Sequence, residues 1–148
     1  MNDDEDFAGI DEAGPLKNRT VVLGVCGGIA AYKACDIARG LRKAGADVHV
    51  IMTPHATAFI TPLTLQTLTR NEVHVEQYGE GGTWKPEHIE LAQKADLILV
   101  APATANTVGK LANGICDELL TTIIMAATCR VMLAPAMNPH MLDHPAVQ

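Results

Sequence analysis

At 148 residues the chain is one ordinary domain, long enough to bury about 70% of its unfolded surface around a single core. Aliphatic and small residues dominate and aromatics make up 3%, which suits a parallel sheet covered by helices. Six of the 17 acids behind the formal charge of −6 lie in the first 14 residues, leaving 11 acids against 11 bases; neither part offers the basic stripe of a nucleic-acid binder, and no apolar run reaches the roughly 18 residues of a membrane span.

Residues 1–18 read as an acidic, solvated and disordered tail, and 19–148 as the folded domain. The acidic N-terminus is unlike a signal peptide, so the expected location is the cytoplasm. Cys26, Cys35, Cys116 and Cys129 form no CxxC pair and no metal-finger spacing, and read as free thiols of a reducing compartment.

Thr20 to Val25 is a short, β-branched apolar run and predicts a buried strand. Cys26-Gly27-Gly28 breaks it, and Ala30, Ala34, Ile37, Ala38 and Leu41 then recur at helical spacing, with Gly45 as the left-handed stop. Ala46 to Met52 is the second strand. Thr53-Pro54 opens a helix through Ile60, Pro62 starts another to about Thr69, and Val73 to Val75 is a weak strand. Glu76 to Pro86, with Gly79, Gly81 and Gly82 flanked by Tyr78 and Trp84, reads as a mobile loop. Pro86 starts a short helix, Asp96 to Val100 is a buried strand, helices follow at about Ala105 to Ala112 and Asp117 to Ala127, and Arg130 to Ala134 is the last buried strand. Strands alternating with helices predict an α/β fold with an open, doubly wound, mostly parallel sheet, a Rossmann- or flavodoxin-like three-layer α/β/α arrangement.

Ligands of such sheets bind beyond the carboxyl ends of the strands. Four segments land on that rim: Cys26 to Ala30, Thr53-Pro54-His55, Pro102 to Thr107, and Pro135 to Asn138. The first is a glycine turn opening a helix, where free N–H groups and the helix dipole favour a phosphate. Gly24, Gly27 and Gly28 miss the spacing G-x-G-x-x-G, and the second strand ends in Thr53 with no acid to hold an adenosine ribose. Both features disfavour NAD and fit a mononucleotide such as FMN, with the Thr53 hydroxyl on phosphate or ribityl oxygens. In the third segment, Thr104, Asn106 and Thr107 supply hydrogen-bonding groups among small residues that admit a flat ring; the plainer reading is an N-cap cluster. His88 could act as a general base or be a surface residue. His140 and His144 stand at i, i+4 between Pro139 and Pro145 with no third ligand, so no metal is expected.

Together the stretches VVLGVCGGIAAYKA, MTPHATAFITPLTLQ, HIELAQKADLILVAPATANT and LAPAMNPHM resemble the homo-oligomeric flavin-containing cysteine decarboxylases, above all the phosphopantothenoylcysteine decarboxylase domain of bacterial coenzyme A biosynthesis. The resemblance runs from about residue 20 to the end. It implies FMN contacts at Gly28, Ile29 and Ala30, at Thr53, Pro54 and His55, at Thr104, Ala105, Asn106 and Thr107, and at Ala136. It implies His88 as the catalytic histidine, and Asn138 beside Met137 as the substrate's carboxylate anchor. It also implies a trimer or dodecamer of trimers, with FMN held between neighbouring subunits and a small-molecule substrate. In that family FMN oxidises the carbon bearing sulfur, so that departing CO2 leaves its electrons in a thioaldehyde, and a downstream cysteine serves the return of electrons.

Three departures accompany the resemblance. Cys26 stands where relatives often carry Ser, and Lys94 where a Trp is common. The cysteine-bearing clamp lies beyond PAMN and has no counterpart before Gln148, so the chain reads as a fragment. Three further activities remain open on sequence. One is oxidative decarboxylation of a peptide's C-terminal cysteine, as in lantibiotic maturation, which needs no reducing cysteine. Another is a non-catalytic flavin-binding regulator using the acidic tail, and the least expected is a flavin prenyltransferase.

Overall fold

The computed structural model describes residues 14–76 and 87–148, with Glu87 and His88 described in backbone only. The segment with Tyr78 and Trp84, the side chain of His88 and residues 1–13 of the acidic tail therefore lie outside the described residues. Residues 14–18, expected in the tail, pack on the domain. Leu16 donates its N–H to Ala44 O at 2.8 Å and rests against the core. A Cβ on Gly14 would meet that same carbonyl oxygen at 2.2 Å.

Five parallel strands form one sheet: β1 (Thr20–Val25), β2 (Asp47–Met52), β3 (Val73–His74), β4 (Leu97–Ala103) and β5 (Arg130–Pro135), in the order β3-β2-β1-β4-β5. Their apolar side chains alternate between two cores. Val21, Leu23 and Val25 of β1 join Val48, Val50 and Met52 of β2 on one face. There they meet Ala34 and Ala38 of α1 (Ala34–Lys43) and Leu65 of α2 (Pro62–Thr69). Val22 and Ile51 point the other way, with Ile98 and Val100 of β4. That face is covered by Leu91 and Ala92 of α3 (Glu87–Lys94) and by Leu119, Leu120 and Ile123 of α5 (Leu119–Ala126). Each of these large side chains contributes about 1.5–3 kcal/mol by leaving water. The result is the doubly wound, three-layer arrangement expected from the alternation of elements.

Four local outcomes differ from the sequence expectation. The first helix opens with a 3₁₀ turn, Ile29–Lys33, before α1. The helix after Thr53 is likewise a single 3₁₀ turn, Pro54–Ala58. Strand β4 continues past Val100 to Ala103, because Ala103 pairs with Pro135 after a register shift; the Ala101–Pro102 bond within it is cis. Finally, the apolar run of β5 predicts burial, yet five of its six residues are exposed. It is an edge strand, and among the described residues no element lies beyond it. An apolar sequence marks capacity for burial, and burial also needs a covering layer.

Candidate functional site

The strand order fixes where a ligand crevice opens. Going outwards from β1, the chain runs to β2 and β3 on one side and to β4 and β5 on the other. At such a reversal the connections leave in opposite directions, so the carboxyl ends of β1 and β4 stand uncovered. The segments leaving those two ends are Cys26-Gly27-Gly28 and Thr104 to Thr107.

Each is held by local chemistry. Cys26 is fully buried. It donates its N–H to Pro102 O at 3.2 Å and its thiol to Thr107 Oγ1 at 3.2 Å, which ties the two segments together. Burial pushes the Cys26 thiol above its ordinary range, against the lowering effect of the bond to Thr107. The thiol is therefore a neutral donor occupied inside the protein. Gly27 is a close-approach glycine: a Cβ there would lie 2.6 Å from His55 Cβ and 2.7 Å from the His55 carbonyl carbon. This contact brings the turn after β2 against the turn after β1. Thr53 starts that second turn, accepting the Ala56 N–H on Oγ1 at 3.3 Å and donating its own N–H to Val25 O at 3.0 Å.

Thr104 caps α4 (Ala105–Ala112): its Oγ1 accepts the Thr107 N–H and donates to Thr107 Oγ1, both at 3.3 Å. The plainer N-cap reading of this cluster is thus correct for Thr104, and it is compatible with ligand contact because Asn106 remains exposed. Ala136 donates its N–H to Ala103 O at 3.0 Å, bringing the segment after β5 beside the segment after β4. Asn138 caps α6 (Pro139–Leu142) through Oδ1, which accepts the His140 N–H at 2.9 Å. Its amide nitrogen points no bond at any described residue.

One cleft of about 520 Å³ gathers Gly27, Thr53, Pro54, His55, Thr104, Asn106 and Thr107, within the roughly 300–1,000 Å³ of small-molecule sites. Gly28 adjoins it, and a Cβ there would touch only Thr104 Cγ2, at 3.8 Å. Ile29 is 81% exposed at the same rim. Two lining residues had no place in the sequence reading, Lys110 and Glu118. Lys110 Nζ pairs with Asp117 Oδ1 at 2.9 Å and stands 4.0 Å from Glu118 Oε2. The bond from Lys110 holds the Asp117 carboxyl below the usual range, and desolvation holds that of Glu118 above it. The only sequence signal was a glutamate directly before the apolar run LLTTIIM, where a short capping residue is the norm. The His140/His144 pair is not assembled: His144 Nδ1 accepts the Ala146 N–H at 3.1 Å. No metal-binding group of three His, Cys, Asp or Glu side chains occurs among the described residues.

The family model described as "Flavoprotein" matches residues 10–148. The chain belongs to the flavoprotein family. This flavoprotein is 56% identical over 133 residues to the coenzyme A biosynthesis bifunctional protein CoaBC of Bacillus subtilis, covering 90% of the chain and 33% of that relative. It is 44% identical over 132 residues to the "Probable phosphopantothenoylcysteine decarboxylase" of Streptococcus mutans, covering 88% of the chain and 74% of the relative. Among solved structures, it resembles the FMN-dependent cysteine decarboxylase TvaF from thioviridamide biosynthesis with a TM-score of 0.80 and 40% identity, over 87% of this chain and 80% of that one. The flavoprotein thus spans about a third of the bifunctional relatives it matches.

Proposed function

We propose that this chain is an FMN-dependent carboxy-lyase that decarboxylates 4'-phosphopantothenoylcysteine to 4'-phosphopantetheine in coenzyme A biosynthesis. The observation that carries this reading is the convergence of the Gly27, Thr53 and Thr104–Thr107 segments in one cleft at the β1/β4 reversal. The 56% identity to CoaBC supports that chemistry.

The residues present fit FMN. The Gly28 side of the first turn is open space that a side chain would fill. Thr53 and Thr104 each cap the first turn that follows, and the first-turn N–H groups that such a cap leaves free can bind an anion. FMN supplies the electron sink that an sp³ carbon beside a carboxylate lacks. In this reading the backbone at Gly28, Ile29 and Ala30, the turn Thr53-Pro54-His55 and the Thr104-Ala105-Asn106-Thr107 segment bind it, with Ala136 closing the side beyond β4. Asn138 has its Oδ1 committed to His140 N, so its NH2 is the donor for the substrate carboxylate, with Met137 against the substrate's apolar stem. His88 takes the substrate proton.

The assembly proposed is a homotrimer or a dodecamer of trimers with the site at a subunit boundary. Support comes from apolar side chains left in water near the rim, Ile29 at 81% and Leu63 at 69% exposure. The proposed location is the cytoplasm. All four cysteines are free, as a reducing compartment keeps them, and no described helix is long and apolar enough to cross a membrane.

The test is an absorption spectrum followed by turnover. Purified protein should be yellow and release CO2 from phosphopantothenoylcysteine faster than from a peptide ending in cysteine. Preference for the peptide would move the assignment to the activity named for TvaF, and colourless protein that takes up no added FMN would overturn it. The His88→Asn variant should keep its flavin and lose at least about 10²-fold in turnover, the contribution of a positioned acid or base.

A further inference from the structure

Glu118 occupies the N-cap of α5 in extended backbone, yet its side chain makes no capping bond. Glu118 instead lines the cleft, with a side chain only 14% exposed. Oε2 has Lys110 at 4.0 Å, the outer limit of an ion pair, because the ammonium is closer to Asp117. Oε1 is buried with no hydrogen-bond partner.

No donor of the cleft wall bonds Oε1 in the described structure. Thr104 Oγ1 donates to Thr107 Oγ1, and the Cys26 thiol donates to that same oxygen. The Ala56 N–H is taken up by Thr53. A desolvated carboxylate oxygen without a donor is a costly arrangement, so its partner is expected to come from the molecule that fills the cleft. That partner is not a phosphate, since two anions would repel across a poorly solvated gap. The phosphate of a mononucleotide therefore belongs at the Gly27–Thr53 end. The hydroxyl groups next to it along a flavin, those of the ribityl chain, are the nearest donors to a carboxylate sharing the same cleft.

We propose that Glu118 Oε1 accepts a hydrogen bond from a ribityl hydroxyl of the bound flavin, making Glu118 a cofactor-binding residue. This rests on the FMN reading above and adds the residue that orients the ribityl chain.

The test is a binding cycle on flavin-free protein, read by quenching of flavin fluorescence. Riboflavin and its monodeoxy analogues, each lacking one ribityl hydroxyl, are titrated against the parent, Glu118→Met and Glu118→Gln. The parent should bind one analogue about tenfold more weakly than riboflavin. Glu118→Met should bind riboflavin weakly by the same factor and lose nothing further on that analogue, because the bond is already gone. Glu118→Gln, which keeps an acceptor oxygen and the side-chain length, should fall between them and guards against misfolding of the apolar variant. Unchanged riboflavin affinity in both variants overturns the proposal, as do losses that add independently for every analogue. A parent that binds no flavin overturns the FMN reading along with it, whereas a parent that binds FMN normally while the cycle fails removes Glu118 alone.

Discussion

Gly27 and Gly28 are neighbours on the first turn but answer to different constraints. At Gly27 the missing side chain makes room for the backbone of His55. Gly27→Ala is therefore expected to push the Thr53–Ala56 turn outward and cost about 1–3 kcal/mol, the usual penalty for overpacking, together with flavin retention. At Gly28 the backbone is extended (φ −155°, ψ 168°) and open to any residue, and the nearest atom to an added Cβ is 3.8 Å away. Gly28→Ala should unfold within about 0.5 kcal/mol of the parent, like most changes made in open space, and still bind FMN more weakly, because the methyl occupies the approach to the turn. Denaturant titrations paired with flavin titrations separate the two. Equal loss of stability in both variants would show that the turn is built by both glycines and that neither is reserved for the ligand.

Among the elements, Thr104 joins two tasks. Its hydroxyl caps α4 and polarises Thr107, which in turn holds the Cys26 thiol at the end of the neighbouring strand. Thr104→Ala should cost about 1 kcal/mol, as loss of an N-cap generally does, and should also loosen the β1–β4 junction. A chemical denaturation midpoint checks the first effect, and faster modification of Cys26 by a thiol reagent in flavin-free protein checks the second. Much of this frame was legible in the sequence. Thr20 to Val25 and Ala46 to Met52 are apolar runs rich in β-branched residues, each followed within two residues by a glycine or proline, and Thr53, Thr61 and Thr104 stand before helices as cap residues do. The four rim segments follow from strand ends alone. What escaped was everything decided between elements. The burial of β5 depends on a covering layer that its own residues do not encode. The extension of β4 depends on Ala103 finding Pro135. Lys110 and Glu118 meet only because α4 and α5 pack so that both side chains reach one cleft. No periodicity along the chain reports such an approach.

For the molecule as a whole, charge sets opposing trends with pH. Asp96 accepts the Thr20 N–H at 2.8 Å and Arg19 Nη1 at 2.9 Å, joining the amino ends of β1 and β4, and these bonds hold its carboxyl below the ordinary range. At Asp47 burial acts upward, but the bonds from Asn71 and His49 together outweigh it and leave that carboxyl lowered. Groups of this kind bind protons more readily in the unfolded chain, so their stabilisation is present above about pH 4 and is lost as pH falls through the folded value. Glu118 has the opposite sign. Desolvation raises its carboxyl, the folded state binds the proton more readily, and stability falls as pH rises from the ordinary carboxylate range through the folded value. Flavin-free protein should therefore melt at its highest temperature in mildly acid solution. Glu118→Gln should raise the melting temperature at about pH 7 and flatten the decline between about pH 5 and neutrality. Asp96→Asn should lower the melting temperature at about pH 7 and converge on the parent once both carboxyls would be protonated, near about pH 2. Thermal melts followed by circular dichroism across that range test both signs at once. A Glu118→Gln variant less stable than the parent at neutral pH would mean that the charge is stabilised in the flavin-free fold, through Lys110 or another donor, and that the unpaired oxygen costs the fold nothing.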